Sequence, residues 1–146
     1  MGFIANKEKN FKRYLENHFG LILPQDIEIF YAKGVRVSAL GLKKSHLNGE
    51  LGYAACDAGF NPTNALIQNF GHLAKKNAID LEPKEALDFA SGMNLPAEIG
   101  NKDKFVILRY NGFTVGLGFY DKTKKRIINK IPEKRRRKMV DDIRPL

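Results

Sequence analysis

The chain has 146 residues, room for one domain with at most a small appendage. Its 43% apolar content can bury a core unaided, and its single cysteine, Cys56, excludes an intrachain disulfide framework and any thiolate-rich zinc or iron–sulfur site. Lys and Arg number 25 against 16 Asp and Glu, a formal charge of +9 that points to anionic partners such as nucleic acid or acidic lipid.

Lys7–Phe19 places Phe11, Tyr14, Leu15, His18 and Phe19 on one stripe at helical spacing, and Gly20 follows as a C-terminal stop. After Pro24, Asp26–Ala32 reads as a strand, and Lys33-Gly34 turns it into a second at Val35–Leu40. Gly41–Gly49 is a polar loop and Leu51–Cys56 a further short strand. Asn61-Pro62 predicts a helix start with Asn61 as the N-cap, the helix running to Gly71. Glu82-Pro83 opens a second short helix through Ala90, with Gly92 placed to stop it. Phe105–Tyr110, Phe113–Tyr120 and Arg126–Ile131 are strand-like, and Asn111-Gly112 joins the first two because both positions tolerate positive φ. The expected class is therefore α+β, a small, mostly antiparallel barrel with short helices. Residues 1–32 form a helix-and-strand lead-in, 33–132 the main domain and 133–146 a basic C-terminal arm.

Charge is localised. Lys122–Lys138 holds ten basic residues and one acid, Glu133, while the rest of the chain carries 15 of each sign, so the whole excess lies within 17 positions. A solvated tail would account for such a run, and Lys134–Lys138 also suits a nuclear import signal. The interleaved Ile127, Ile128 and Ile131 instead tie its first half to folded structure, and charge held on a scaffold suits a phosphate backbone.

Catalytic signals are thin. Cys56 sits among small apolar residues with no legible base, so a buried structural thiol is the favoured reading. His18, His46 and His72 have no metal-ligand spacing. Gly116-Leu117-Gly118 lacks the third glycine and the following helix of a dinucleotide loop, which leaves strand glycines of the kind that mark a bulge, a barrel corner or a close approach of another backbone. Tyr110, Phe113 and Tyr120 lie beside the basic region; core packing is the favoured role for each, with stacking on an unpaired base as the alternative. No enzyme, cofactor or metal is expected. With no run of about 18 apolar residues and no apolar signal segment, a soluble, cytoplasmic protein is expected.

The order Phe105-Val-Ile-Leu-Arg-Tyr-Asn-Gly-Phe113, Val115-Gly-Leu-Gly118, Arg126-Ile-Ile-Asn-Lys-Ile-Pro132 and Arg135 resembles the PUA-like RNA-binding domain of the Sun/Fmu family of RNA cytosine-5 methyltransferases. Upstream, Val35-Arg36-Val37, Leu42-Lys43-Lys44, Phe60-Asn-Pro-Thr-Asn-Ala-Leu66 and Glu85–Leu95 are similar to its first strand, basic loop and helices, so the likeness spans about Gly34–Lys138. The family's catalytic domain, with its glycine loop and Pro-Cys nucleophile, has no counterpart in this sequence, and Ile131 and Glu133 stand where the family has an aromatic and a lysine. The resemblance implies a stand-alone RNA-binding protein in rRNA or tRNA maturation, presenting RNA to a separate methyltransferase or ribosome-assembly protein. Lys122, Lys124, Lys125, Arg126, Asn129 and Lys130 would meet RNA from the barrel edge. Lys134, Arg135, Arg136, Arg137 and Lys138 would extend that contact as a flexible arm, and Arg36, Lys43 and Lys44 would add a second basic loop. An adaptor that uses the basic arm to meet an acidic protein is the alternative.

Overall fold

The computed structural model describes residues 2–31, 35–39, 53–56 and 61–144. They fall into two units that divide between Lys76 and Asn77. The loop 41–49 and the Lys33-Gly34 turn lie outside the described residues.

The first unit opens with α1 (Gly2–Phe19), whose predicted stripe buries Phe11, Leu15 and Phe19. Gly20 terminates it at φ 60°, where its N–H donates to the Glu16 carbonyl at 2.9 Å. That is a left-handed C-cap, a conformation glycine adopts without penalty. Strands β1 (Ile27–Tyr31), β2 (Val35–Ala39) and β3 (Tyr53–Ala54) form an antiparallel sheet in that order. Helix α2 (Asn64–Phe70) follows and tightens into a single 3₁₀ turn at Gly71–Leu73. Its N-cap is Thr63, not Asn61: Pro62 is still bridged to Cys56, so the chain cannot turn helical before residue 64. The Thr63 hydroxyl accepts from the Leu66 N–H at 3.2 Å and donates to the Ala54 carbonyl at 2.7 Å, so one side chain caps the helix and fastens it to β3.

The second unit holds a five-stranded, curled half-barrel sheet in the order β4-β6-β7-β8-β5. Its elements are β4 (Ala78–Asp80), α3 (Pro83–Ala90), β5 (Leu95–Pro96), β6 (Lys104–Tyr110), β7 (Phe113–Asp121), β8 (Arg126–Asn129) and α4 (Glu133–Ile143). Proline at N1 starts α3, and the Glu82 N–H donates to Glu85 Oε1 at 3.0 Å, one arm of a capping box. Asn111 and Gly112 turn β6 into β7 at φ 49° and 83°. Gly118 sits mid-strand, where a Cβ would lie 2.4 Å from Ile127 Cγ2 and 2.9 Å from Leu108 Cδ2. The groups that come close to this glycine are side chains, not another backbone.

Three features differ from the expectations. Strand β4 was not among the expected elements, and it pairs with β6 in parallel in a sheet that is otherwise antiparallel, as the mostly antiparallel expectation allowed. The last strand ends at Asn129, although Ile131 beyond it is still buried. The largest difference is that Glu133–Ile143, expected as a flexible arm, is a helix. Met139 and Ile143, one turn apart, enter the core with Phe89, Leu95, Tyr120 and Ile127. Two buried apolar side chains offset the ordering of a segment whose other positions are mostly charged. Cutting the chain after Pro132 would thus remove part of the core, not a loose tail.

Candidate nucleic-acid interface

Folding separates the basic run into two groups at opposite ends of β8. Four strand residues span roughly 13 Å. The first group occupies the turn before β8, where Asp121 Oδ1 accepts from the N–H groups of Thr123 and Lys124 at 3.0 and 3.2 Å. Asp103 Oδ1 accepts from the Lys122 N–H at 2.9 Å, and Lys125 Nζ lies 3.3 Å from Glu98 Oε1. Lys122, Lys124 and Lys125 are all exposed, but Asp121 beside them in sequence and two carboxylates from elsewhere in the unit, Asp103 and Glu98, stand among them. Charge at this end is partly cancelled.

The second group lies at and beyond the other end of β8. Lys130, Lys134, Arg135 and Arg137 are exposed and form no ion pair among the described residues, while Lys138 pairs with Asp142 at 3.2 Å. Positive charge in the first turns of α4 and Asp141 and Asp142 in its last turn oppose the helix dipole, which favours the reverse order.

Two of the residues expected to touch RNA make hydrogen bonds that hold the unit together. The Asn129 amide donates to the carbonyls of Phe89 at 2.6 Å and Met93 at 3.0 Å, and its oxygen accepts from the Ile131 N–H at 2.9 Å. Both of its amide hydrogens are used, so Asn129 clamps β8 to the end of α3. Arg136 Nε donates to the Ile131 carbonyl at 3.2 Å, and its guanidinium lies so close to Gly92 that a Cβ there would sit 2.7 Å from Nη1. Gly92, at φ 110°, thus serves both the helix end and the seat of Arg136. Arg126 is half-buried, with its Nε sealed from solvent and without a hydrogen-bond partner among the described residues. Arg36 lies on β2 with its side chain outside the described residues, and Lys43 and Lys44 lie outside them entirely.

The aromatic residues sort by face. Tyr120 is fully buried, its hydroxyl donating to the Gly100 carbonyl at 3.3 Å, and Tyr110 and Phe113 meet edge to face at 6.0 Å against the core. The three rings beside the basic run therefore pack, as the favoured reading held. Phe105 and Phe119, one residue out of phase with Val106 and Tyr120, lie on the opposite sheet face. Period-two alternation in the sequence carried that signal.

Acid–base chemistry finds little to work with. Cys56 is buried. Burial pushes the Tyr14 phenol up to about 12, so it stays protonated at neutral pH. No cluster of three or more His, Cys, Asp or Glu suited to a metal occurs among the described residues, and none of their helices is long and apolar enough to cross a membrane.

Residues 76–137 match a protein-family model described as the PUA domain of the methyltransferase RsmF. The match begins at the division between the units and ends within α4. Comparison with curated proteins returns no match.

Proposed function

We propose that this chain, whose residues 76–137 form a PUA-like domain related to those of the Sun/Fmu methyltransferases, is an RNA-binding protein with no catalytic role of its own. PUA domains are generally RNA-binding modules. The observation that carries the reading is the group of exposed cations at Lys130, Lys134, Arg135 and Arg137, without an ion pair among the described residues, on and beside a helix whose dipole they oppose. The reading places the protein in rRNA or tRNA maturation in the cytoplasm, presenting RNA to a separate RNA cytosine-5 methyltransferase. Lys122 and Lys124 add weaker phosphate contacts at the far end of β8.

Fluorescence anisotropy of the full chain with a tRNA and an rRNA hairpin, titrated over a range of salt, tests it. If about five cations neutralise phosphates, log affinity falls against log salt with a slope near −3.5, about −0.7 for each contact on single strands. A slope near zero would remove the electrostatic mechanism.

One observation favours a second reading, protein docking on the first unit instead of through the basic arm. In the first unit a cavity of about 330 Å³ is lined by Leu15, Leu21, Leu23 and Ile27, and Ile22 on its wall is 66% exposed. Under that reading Ile22→Asp abolishes recruitment of a methyltransferase from nuclease-treated extract and leaves RNA affinity unchanged. Unaltered recruitment by the variant discards docking at this cavity.

A further inference from the structure

Helix α1 turns Phe11, Leu15 and Phe19 inward and leaves Lys9, Arg13 and Asn17 in a row on its opposite face, all exposed. Residues four apart rise about 6 Å along a helix, so the row advances in even steps. Lys12 is exposed beside it, and the carboxylate of Glu16 shares this face. Glu16 stands four residues from Lys12 and three from Arg13, spacings at which ion pairs form on a helix. No ion pair joins them among the described residues, whereas Lys84 with Asp88 and Lys138 with Asp142 close at 3.1 and 3.2 Å.

Folding lengthens the row. The backbone N–H groups of Lys75 and Lys76 both donate to the Phe19 carbonyl, at 2.7 and 2.9 Å, and Lys76 Nζ donates to the Asn17 carbonyl at 3.4 Å. Two exposed lysines from far along the chain are thereby fixed where α1 ends. A cation on the last carbonyls of a helix suits its dipole, which accounts for Lys76 within the free protein. It does not account for Lys9, Lys12, Arg13 or the ammonium of Lys75. Together these five cations face solvent along about 15 Å of α1, with Glu16 among them.

Resting on the RNA-binding reading, we propose that this face of the first unit is a second RNA surface, where Lys9, Arg13 and Lys76 hold phosphates of the bound RNA. A lipid surface would require apolar side chains beside the cations, and the exposed residues of α1 from 9 to 17 are Lys, Asn, Arg and Glu. Long cationic side chains in a row answer a sugar-phosphate backbone, which adds affinity and no sequence preference. The native salt slope is then steeper than the cations of the second unit alone would make it.

The probe is a tRNA titrated into the full chain by fluorescence anisotropy over a range of salt. In the triple variant Lys9→Gln, Arg13→Gln and Lys76→Gln, the slope is expected to be shallower by about 2, at about 0.7 for each lost contact, and affinity near 0.1 M salt to fall roughly a hundredfold. The pair Lys9→Gln and Arg13→Gln leaves the Lys76 contact with Asn17 intact and is expected to show about two thirds of that slope change. Exchanging the two cations, Lys9→Arg with Arg13→Lys, keeps the charge and is expected to keep the affinity. All three variants are expected to melt with the native chain. A native slope in both Gln variants, with RNA still bound, would overturn the second surface and leave RNA binding standing. Weakened binding that appears only with a lowered melting temperature would assign these cations to the fold and overturn it as well. Polyglutamate bound more tightly than tRNA by the native chain, and released in the triple variant, would give the face to an acidic protein instead. Failure of the native chain to bind RNA would overturn both readings.

Discussion

Gly118→Ala lowers the melting temperature of the second unit by on the order of 10 °C, and Gly118→Leu prevents that unit from folding. The added Cβ would meet Ile127 Cγ2 at 2.4 Å, Leu108 Cδ2 at 2.9 Å and Phe89 Cζ at 3.3 Å, which brings it against two strands and a helix at once. Leu108 can swing its terminal methyl aside. Ile127 has less freedom, because a β-branched side chain has few rotamers on a strand and this one is almost wholly buried. Overpacking of this kind costs about 1–3 kcal/mol, and each kcal/mol shifts the midpoint of a domain of 60–100 residues by roughly 4–8 °C. Gly112 is the control, since at φ 83° a Cβ added there would meet nothing within 4 Å. Gly112→Asn, a residue that tolerates positive φ, is expected to cost far less. Differential scanning calorimetry of the three variants checks the ranking; equal losses at both glycines would mean that backbone conformation, not contact, sets the cost.

Neutralising α4 separates binding from stability. In the triple variant Lys134→Gln, Arg135→Gln and Arg137→Gln, the salt slope for RNA becomes shallower by about 2, at about 0.7 for each lost phosphate contact, and affinity near 0.1 M salt falls roughly a hundredfold. The same variant is expected to melt slightly higher, because cations in the first turns of a helix oppose its dipole at a cost of a few tenths of a kcal/mol each. A structural role for these residues predicts the opposite: lower stability, with binding lost only as the protein unfolds. Replacing Lys122 and Lys124 is expected to have a smaller effect, since Asp121, Asp103 and Glu98 already surround that turn. Paired anisotropy and thermal melts decide between the two accounts. Arg136 and Lys138 are left unchanged in this design because one holds the Ile131 carbonyl and the other pairs with Asp142.

Local chemistry made much of this protein legible. The stripe Phe11, Leu15 and Phe19 with its glycine stop, the Glu82-Pro83 helix start and the Asn111-Gly112 hairpin each depend on residues within a few positions of one another. Their signals therefore survive without any knowledge of the rest of the chain. The ordered series of short strand and turn motifs, carried by the resemblance, located the PUA-like stretch, and the family match falls inside the predicted bounds. The charge total and its concentration in Lys122–Lys138 were likewise complete in the sequence.

What escaped depends on partners distant along the chain. Strand β4 is three residues long and exists because Ile107 offers it an edge, its amide donating to the Asn77 carbonyl at 2.9 Å. Glu133–Ile143 reads as a solvated charge run until α3 and the sheet supply a surface for Met139 and Ile143. Asn129 has the composition of an RNA contact, yet the carbonyls of Phe89 and Met93, some forty residues earlier, claim its amide. The even-looking run of cations divides into a screened turn and an open helix only once Glu98 and Asp103 are folded against the turn. Composition, periodicity and turn chemistry thus determined the elements and the sign of the field. Long-range packing determined which cations stay open, because hydrogen bonds and ion pairs act over a few ångströms in space whatever their separation in sequence.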